Sequence, residues 1–255
     1  MKLRILGCGT SSGVPRIGND WGDCDPAYPK NRRRRASILV EHEGKRILVD
    51  TGPDLREQLL DAGVGTLDAV LWTHEHADHC HGIDELRGVY FNNKGTVRGY
   101  ARDRTRAILI DRFPYAFQGF NGYPAYASVE PLLDDSKIAG VRVRTVDLPH
   151  GPIDTAGIRF DIENVSVVYC TDFNALTPEA ASLIKGVDLW VVDTLRRRPH
   201  PTHSHLDQVL GWIDKLKPKR AVLTHLDQSM DYLTLLAELP EHVEPGYDGL
   251  EFSWP

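Results

Sequence analysis

The stretch Thr73-His74-Glu75-His76-Ala77-Asp78-His79 follows directly on the apolar run Ala69-Val70-Leu71-Trp72. A short apolar run of this kind reads as a buried strand. The polar cluster therefore stands where a strand ends and a loop begins, held by a rigid element and still open to solvent and substrate. Three imidazoles and two carboxylates, Glu75 and Asp78, fall within six residues, His74 to His79. Neutral imidazole and carboxylate suit zinc and its divalent neighbours.

Working outward, the same pattern recurs: an apolar strand delivers a ligand-type side chain at its C-terminal end. Val146-Asp147-Leu148-Pro149 leads to His150, Val165 to Cys170 leads to Asp172, and Ala221-Val222-Leu223-Thr224 leads to His225. One histidine after one strand is usually a structural residue. Repetition beside the cluster makes His74, His76, Asp78, His79, His150, Asp172 and His225 a candidate set of ligands. A catalytic zinc usually takes three protein ligands and water, so seven residues point to two cations sharing a carboxylate. Two cations, two carboxylates and one bridging hydroxide leave roughly one net positive charge, which suits a monoanionic ester such as a phosphodiester.

The remaining elements alternate between strand and helix. Strands are expected at Leu3–Leu6, Ser37–Glu41, Lys45–Asp50, Val141–Val146, Ile158–Ile162, Leu189–Val192 and Leu250–Phe252. Helices are expected at Pro53–Ala62 (Leu55, Leu59 and Leu60 on one side), from Gly82, at Asp103–Arg112, from Thr177-Pro178-Glu179, at Leu206–Leu216 and at Tyr232–Leu239. Residues 113–131, rich in Phe, Tyr, Gly and Pro, read as a surface insertion. No repeat or linker is visible, so a single layered domain over 1–255 is expected, with sheets inside and helices outside.

Composition narrows the function. The net charge of −6 gives no global basic field for long nucleic acid. No apolar segment approaches the roughly 20 residues that span a bilayer, so no membrane partner is expected. The N-terminus lacks a signal-peptide pattern. Cys8, Cys24, Cys80 and Cys170 form no close pair, which fits reduced thiols and a cytoplasmic location.

The His74-x-His76-x-Asp78-His79 motif, together with His150, Asp172 and His225, resembles the metallo-β-lactamase superfamily over essentially the whole chain. Gly7 to Pro15, Arg33 to Ser37, Leu223-Thr224-His225 and Gly246 to Glu251 are similar to its PhnP-type phosphoribosyl 1,2-cyclic phosphodiesterase group. That resemblance implies an α/β, four-layer αββα sandwich with a dinuclear site at one sheet edge. It implies one cation on His74, His76 and His150, another on Asp78, His79 and His225, and Asp172 bridging. Zinc is the default and manganese an alternative. Asp50 corresponds to a buried carboxylate that supports the metal loop. A histidine near Pro201-Thr202-His203-Ser204-His205 would serve as general acid. Alignment favours His203, with His205 the competitor, while Asp78 combines ligand and catalytic roles. Homodimerisation is also what the family implies.

There are departures from that group. Its cysteine cluster for a structural zinc is reduced here to Cys24, and Gln228 stands where a histidine would be, so no structural metal is expected. Alternate residues of a strand face opposite ways, so at most half of Arg32-Arg33-Arg34-Arg35 can face one site. Arg33 and Arg35 are candidates for binding a substrate phosphate; the competing reading is a solvated strand edge. The function expected is hydrolysis of a small, cyclic or nucleotide-like phosphodiester by a metal-bridging hydroxide. Rivals are a thioester or lactone hydrolase, a tRNA 3′-processing endonuclease, and a nucleotide- or metal-binding module without catalysis.

Overall fold

The computed structural model describes residues 1–254. β1 (Lys2–Gly7) pairs antiparallel with β2 (Ser37–His42), which turns through a hairpin into β3 (Lys45–Val49). After α1 (Leu55–Ala62), β4 (Ala69–Trp72) lies parallel to β3. The one-turn α2 (Ala77–Cys80) and α3 (Leu86–Asn93) lead to β5 (Val97–Ala101). α4 (Asp103–Arg112) and α5 (Pro114–Gln118) precede β6 (Ala127–Pro131).

The second half repeats the plan. It runs through β7 (Asp135–Ile138), β8 (Val141–His150), β9 (Ile153–Ile162) and β10 (Val165–Cys170). It continues with α6 (Pro178–Ile184), β11 (Leu189–Asp193), α7 (Leu206–Leu216) and β12 (Arg220–Thr224). α8 (Tyr232–Glu238), β13 (Val243–Pro245) and β14 (Glu251–Ser253) complete it. Two seven-stranded sheets result, ordered β14-β1-β2-β3-β4-β5-β6 and β13-β12-β11-β10-β9-β8-β7.

Strand alternation sorts the apolar side chains into three layers. Ile38, Val40, Ile47, Val49 and Leu71 meet Val167, Tyr169, Val191 and Val222 between the sheets. Their neighbours Leu39, Leu48, Val70 and Trp72 pack under α1, α3 and α4. On the other side Val168, Trp190, Val192 and Leu223 pack under α6, α7 and α8. The architecture is therefore helix, sheet, sheet, helix. Strands buried on both faces explain why they read as unbroken apolar runs.

Some details differ from the sequence reading. Leu60 is 60% exposed and does not share the buried side of Leu55 and Leu59, because a helix face repeats at three or four residues. β8 runs on to His150, paired there with Ile153. Residues 113–131 divide into α5, an exposed turn, and the edge strand β6; Ala116, Tyr126 and Ala127 enter the core. Gly7 and Gly9 serve close backbone approach: a Cβ on either would meet the Arg33–Arg35 segment at 2.0 and 2.9 Å. Among the described residues no helix is long and apolar enough to cross a membrane.

Candidate metal centre

β3 and β4 run parallel to each other in one sheet, and β10, β11 and β12 run parallel in the other. Their C-terminal ends therefore share one edge of the sandwich, the place where open α/β sheets collect functional groups. From these ends come Asp50, the 73–79 loop, Asp172, Asp193 and His225. Thr73 O accepts from Ala156 N across the two sheets at this edge, at 3.0 Å.

All seven expected ligands converge. His74, His76, His150 and Asp172 form one group, and Asp78, His79, Asp172 and His225 another, with ligand atoms within 4.8 Å of one another in each. Asp172 belongs to both and divides its oxygens between them. Its Oδ2 lies 3.8 Å from both His74 Nε2 and His150 Nε2. Its Oδ1 lies 3.3 Å from His79 Nε2 and 3.5 Å from His225 Nε2. Asp78 Oδ2 faces the same two imidazoles at 3.1 and 3.5 Å.

The opposite ring nitrogens are tied down. His79 Nδ1 is 2.8 Å from Asp50 Oδ2, and Asp50 also accepts from Thr73 N and Thr73 Oγ1. His150 Nδ1 donates to Thr202 O at 2.8 Å. Fixing one nitrogen as donor leaves the other as a lone-pair ligand. His74 Nε2 and His79 Nε2 are buried without a hydrogen-bond partner. Such unpartnered ring nitrogens are costly in a native interior, and a cation between the groups satisfies them. The donor set, imidazole and carboxylate only, fits two divalent ions.

Backbone strain marks the same residues. Asp50, Asp172 and His225 have φ of 65°, 55° and 59°. They are the buried ones among the described non-glycine residues with positive φ. Such conformations persist where the surroundings over-determine them.

Electrostatics agree with a centre built for cations. Burial pushes the Asp172 carboxyl up, but His225 and His79 beside it hold it well below the usual range. Asp78 is held low in the same way, against burial, by His79 and His225. Burial works against a charge on His79, yet Asp78, Asp172 and Asp50 raise it well above an ordinary imidazole. His225 is likewise raised against burial, to about 9, chiefly by Asp172. Burial keeps His74 and His150 low, hence neutral. Burial also raises Asp50, partly offset by His79 and Thr73. Without cations, protons on His79 and His225 compensate the carboxylates.

Other residues are placed as follows. His203 joins the centre: its Nδ1 is 3.2 Å from Asp193 Oδ2, its Nε2 is 3.9 Å from Asp172 Oδ2, and its ring stacks on His225 at 4.9 Å. His205 is the residue before α7, its backbone paired with Arg196, and it belongs to none of the clusters. Two residues were missed in the sequence. Asp193, fully buried, accepts from Phe173 N and Ser204 N as well as from His203. His200 lies with its ring 5.0 Å from that of His203. Glu75, inside the motif, turns away and accepts from Arg104 Nε and Thr105 Oγ1, tying the loop to α4. Cys80 packs beneath it, its Sγ donating to Glu75 O.

Arg33 is a correction. It is 2% exposed and donates to Met230 O, Asp227 O, Asn31 Oδ1 and Cys24 Sγ. Its inward register makes it the organiser of the first loop: both terminal nitrogens are spent on that loop and the 227–230 turn, and Nε is buried without a partner. Arg35 pairs with Asp54 at 3.2 Å and remains partly exposed.

A family profile described as "Beta-lactamase superfamily domain" matches residues 45–226. The crystal structure of a diphosphatase from the PhnP family superposes with a TM-score of 0.91 at 34% identity, covering 100% of this chain and 98% of that one. An octanoyltransferase of Porphyromonas gingivalis is 34% identical over 98% of this chain and 51% of its own length, so the chain spans about half of that relative. A ribonuclease Z of Bradyrhizobium diazoefficiens is 47% identical, over 24% of this chain and 21% of its own length. The chain belongs to the beta-lactamase superfamily.

Proposed function

We propose that this metallo-β-lactamase-fold hydrolase cleaves a small phosphodiester, using two divalent cations and His203 as proton donor to the leaving oxygen. The observation that carries the reading is the Asp193–His203–Asp172 line across the centre. Asp193 accepts from Nδ1 of His203 and orients the ring. The proton given up then sits on Nε2, the nitrogen facing Asp172 and the two ligand groups.

His74, His76, His150 and Asp172 would hold one cation; Asp78, His79, Asp172 and His225 the other. Cations held there supply positive charge at phosphoryl oxygens and acidify a water molecule. Zinc fits the imidazoles, and the carboxylate oxygens also admit manganese. The chain's own part is to orient and to move a proton. Asp50 and Thr202 fix ring tautomers, and His203 completes the leaving alcohol. Imidazole is the side chain suited to that transfer near neutral pH.

Leaving groups test this. His203→Ala should cost about 10²–10⁴-fold in turnover on an alkyl phosphodiester and far less on bis-p-nitrophenyl phosphate, whose leaving group needs no proton. His205→Ala should leave both rates nearly unchanged. Equal losses on both esters in His203→Ala would reject the assignment.

A second reading has its own support: the 34% identical relative matched over 98% of its length is described as a diphosphatase. A phosphate leaving group also needs little protonation, so for a diphosphate substrate His203→Ala would be nearly silent. A panel of alkyl phosphodiester, diphosphate and glutathione thioester separates these readings and the thioesterase rival. A tRNA substrate is disfavoured by the net charge of −6.

A further inference from the structure

The arginine run has a second face. Arg33 turns inward, and Arg32 and Arg34 turn the other way. There they line a cavity of about 270 Å³ with Arg4, Lys30, Gln58 and Tyr247. In a chain of net charge −6, four cations gather at one hollow. The carboxylates facing it are Asp61, Asp248 and, beside Arg4, Glu251. Arg34 pairs with Asp61 at 2.6 Å and Arg4 with Glu251 at 2.9 Å. Asp248 is occupied by the amides of Cys8 and Arg34.

Lys30 and Arg32 have no carboxylate partner among the described residues. Lys30 donates to Tyr232 Oη and lies 3.9 Å above the Tyr247 ring; Arg32 lies 5.0 Å from the Trp21 ring. Aromatic supports hold both charges in place without neutralising them. An independent observation comes from Gln58, 1% exposed. Its Nε2 donates to Arg35 O, while its Oε1 is buried with no donor. An unsatisfied buried acceptor costs about 1–3 kcal/mol, and the side chain that carries this one lines the same cavity.

We propose that the Lys30–Arg32–Arg34–Gln58 cavity is a second binding site, taking a small phosphate-bearing ligand with a free hydroxyl, of the size of a sugar phosphate. The guanidinium groups and Lys30 hold the phosphate, and a rotation of the Gln58 side chain brings its Oε1 to the ligand hydroxyl. The volume falls below the ~300–1,000 Å³ of sites for drug-sized ligands, which favours a compact ligand.

Calorimetric titration of the metal-loaded protein with ribose 5-phosphate and with inorganic phosphate tests it. Two binding events are expected for ribose 5-phosphate, one at the metal centre and one here, with inorganic phosphate weaker at the second. Lys30→Gln/Arg32→Gln should weaken that event at least tenfold while bis-p-nitrophenyl phosphate turnover stays within twofold. Arg34→Gln should weaken it independently, and circular dichroism checks that each variant folds. One event in the native protein, or two undiminished in both variants, overturns the proposal. A ten-nucleotide RNA that binds through Lys30 and Arg32 when ribose 5-phosphate does not would also overturn it, in favour of a polyanion surface. Equal affinity for the two phosphates would remove the Gln58 contact.

Discussion

Asp193 shows how much one side chain can organise. It sits at the end of β11, fully buried, and receives His203 from the loop before α7. Asp193→Asn should lower alkyl phosphodiester turnover about 10–100-fold, as loss of an orienting partner does. Metal content should stay unchanged; a fall in metal content would make Asp193 part of the ligand set instead. For Asp172, which faces both groups, Asp172→Ala should reduce bound metal from about two per chain to about one or fewer. Unchanged content would contradict the bridge. Proton linkage gives a third prediction. His225 in the metal-free chain is raised from 6.5 to about 9 by Asp172, against burial. The stabilisation by its proton is complete below 6.5 and is lost as pH rises through about 9. Cation binding between these values must expel that proton. Titration with zinc at pH 7.5 in buffers of different ionisation heat should show proton release, and heats independent of buffer would contradict it.

At the scale of elements, the metal loop depends on tight backbone contact. Gly82 follows α2, and a Cβ there would lie 2.0 Å from Gly52 O. Gly82 N donates to Thr51 O, and Thr51 N to His79 O, so the β3 end and the metal loop are sewn together. Gly82→Ala should cost about 1–3 kcal/mol as overpacking does, and should weaken metal binding as well. Stability lost with metal affinity unchanged would uncouple the two. Much of this level was legible in the sequence. Helices Asp103–Arg112 and Leu206–Leu216 stand at the expected residues. Apolar runs gave β4, β10, β11 and β12, because strands covered on both faces carry no polar alternation. β5, β6, β7 and β13 were not seen: Val97-Arg98-Gly99-Tyr100-Ala101 and Asp135-Ser136-Lys137-Ile138 are short, polar or broken by glycine, β6 lies inside the stretch read as an insertion, and only neighbouring strands define them. Asp193 obeys the rule that found Asp172 and His225, an apolar strand ending in a ligand-type residue. A single aspartate after a strand also reads as a turn, and its meaning arises only when folding brings His203 to it. Arg33 was misread because a run of four arginines does not announce which members turn inward.

For the whole molecule, two sheets meeting at one edge bring together groups from residue 50 to residue 225. No single segment could hold the centre alone, so cation binding and the packing of both halves are one equilibrium. A cation that binds the folded chain and not the unfolded one stabilises it by mass action. Chelation should therefore lower Tm and zinc should restore it; an identical Tm with and without metal would contradict this coupling. The most direct test of the dinuclear centre is elemental analysis of protein purified without chelators, repeated after reconstitution with zinc or manganese. About two ions per chain are expected from the two ligand groups that share Asp172. Protein that holds none, and takes up none when metal is supplied, would contradict the account.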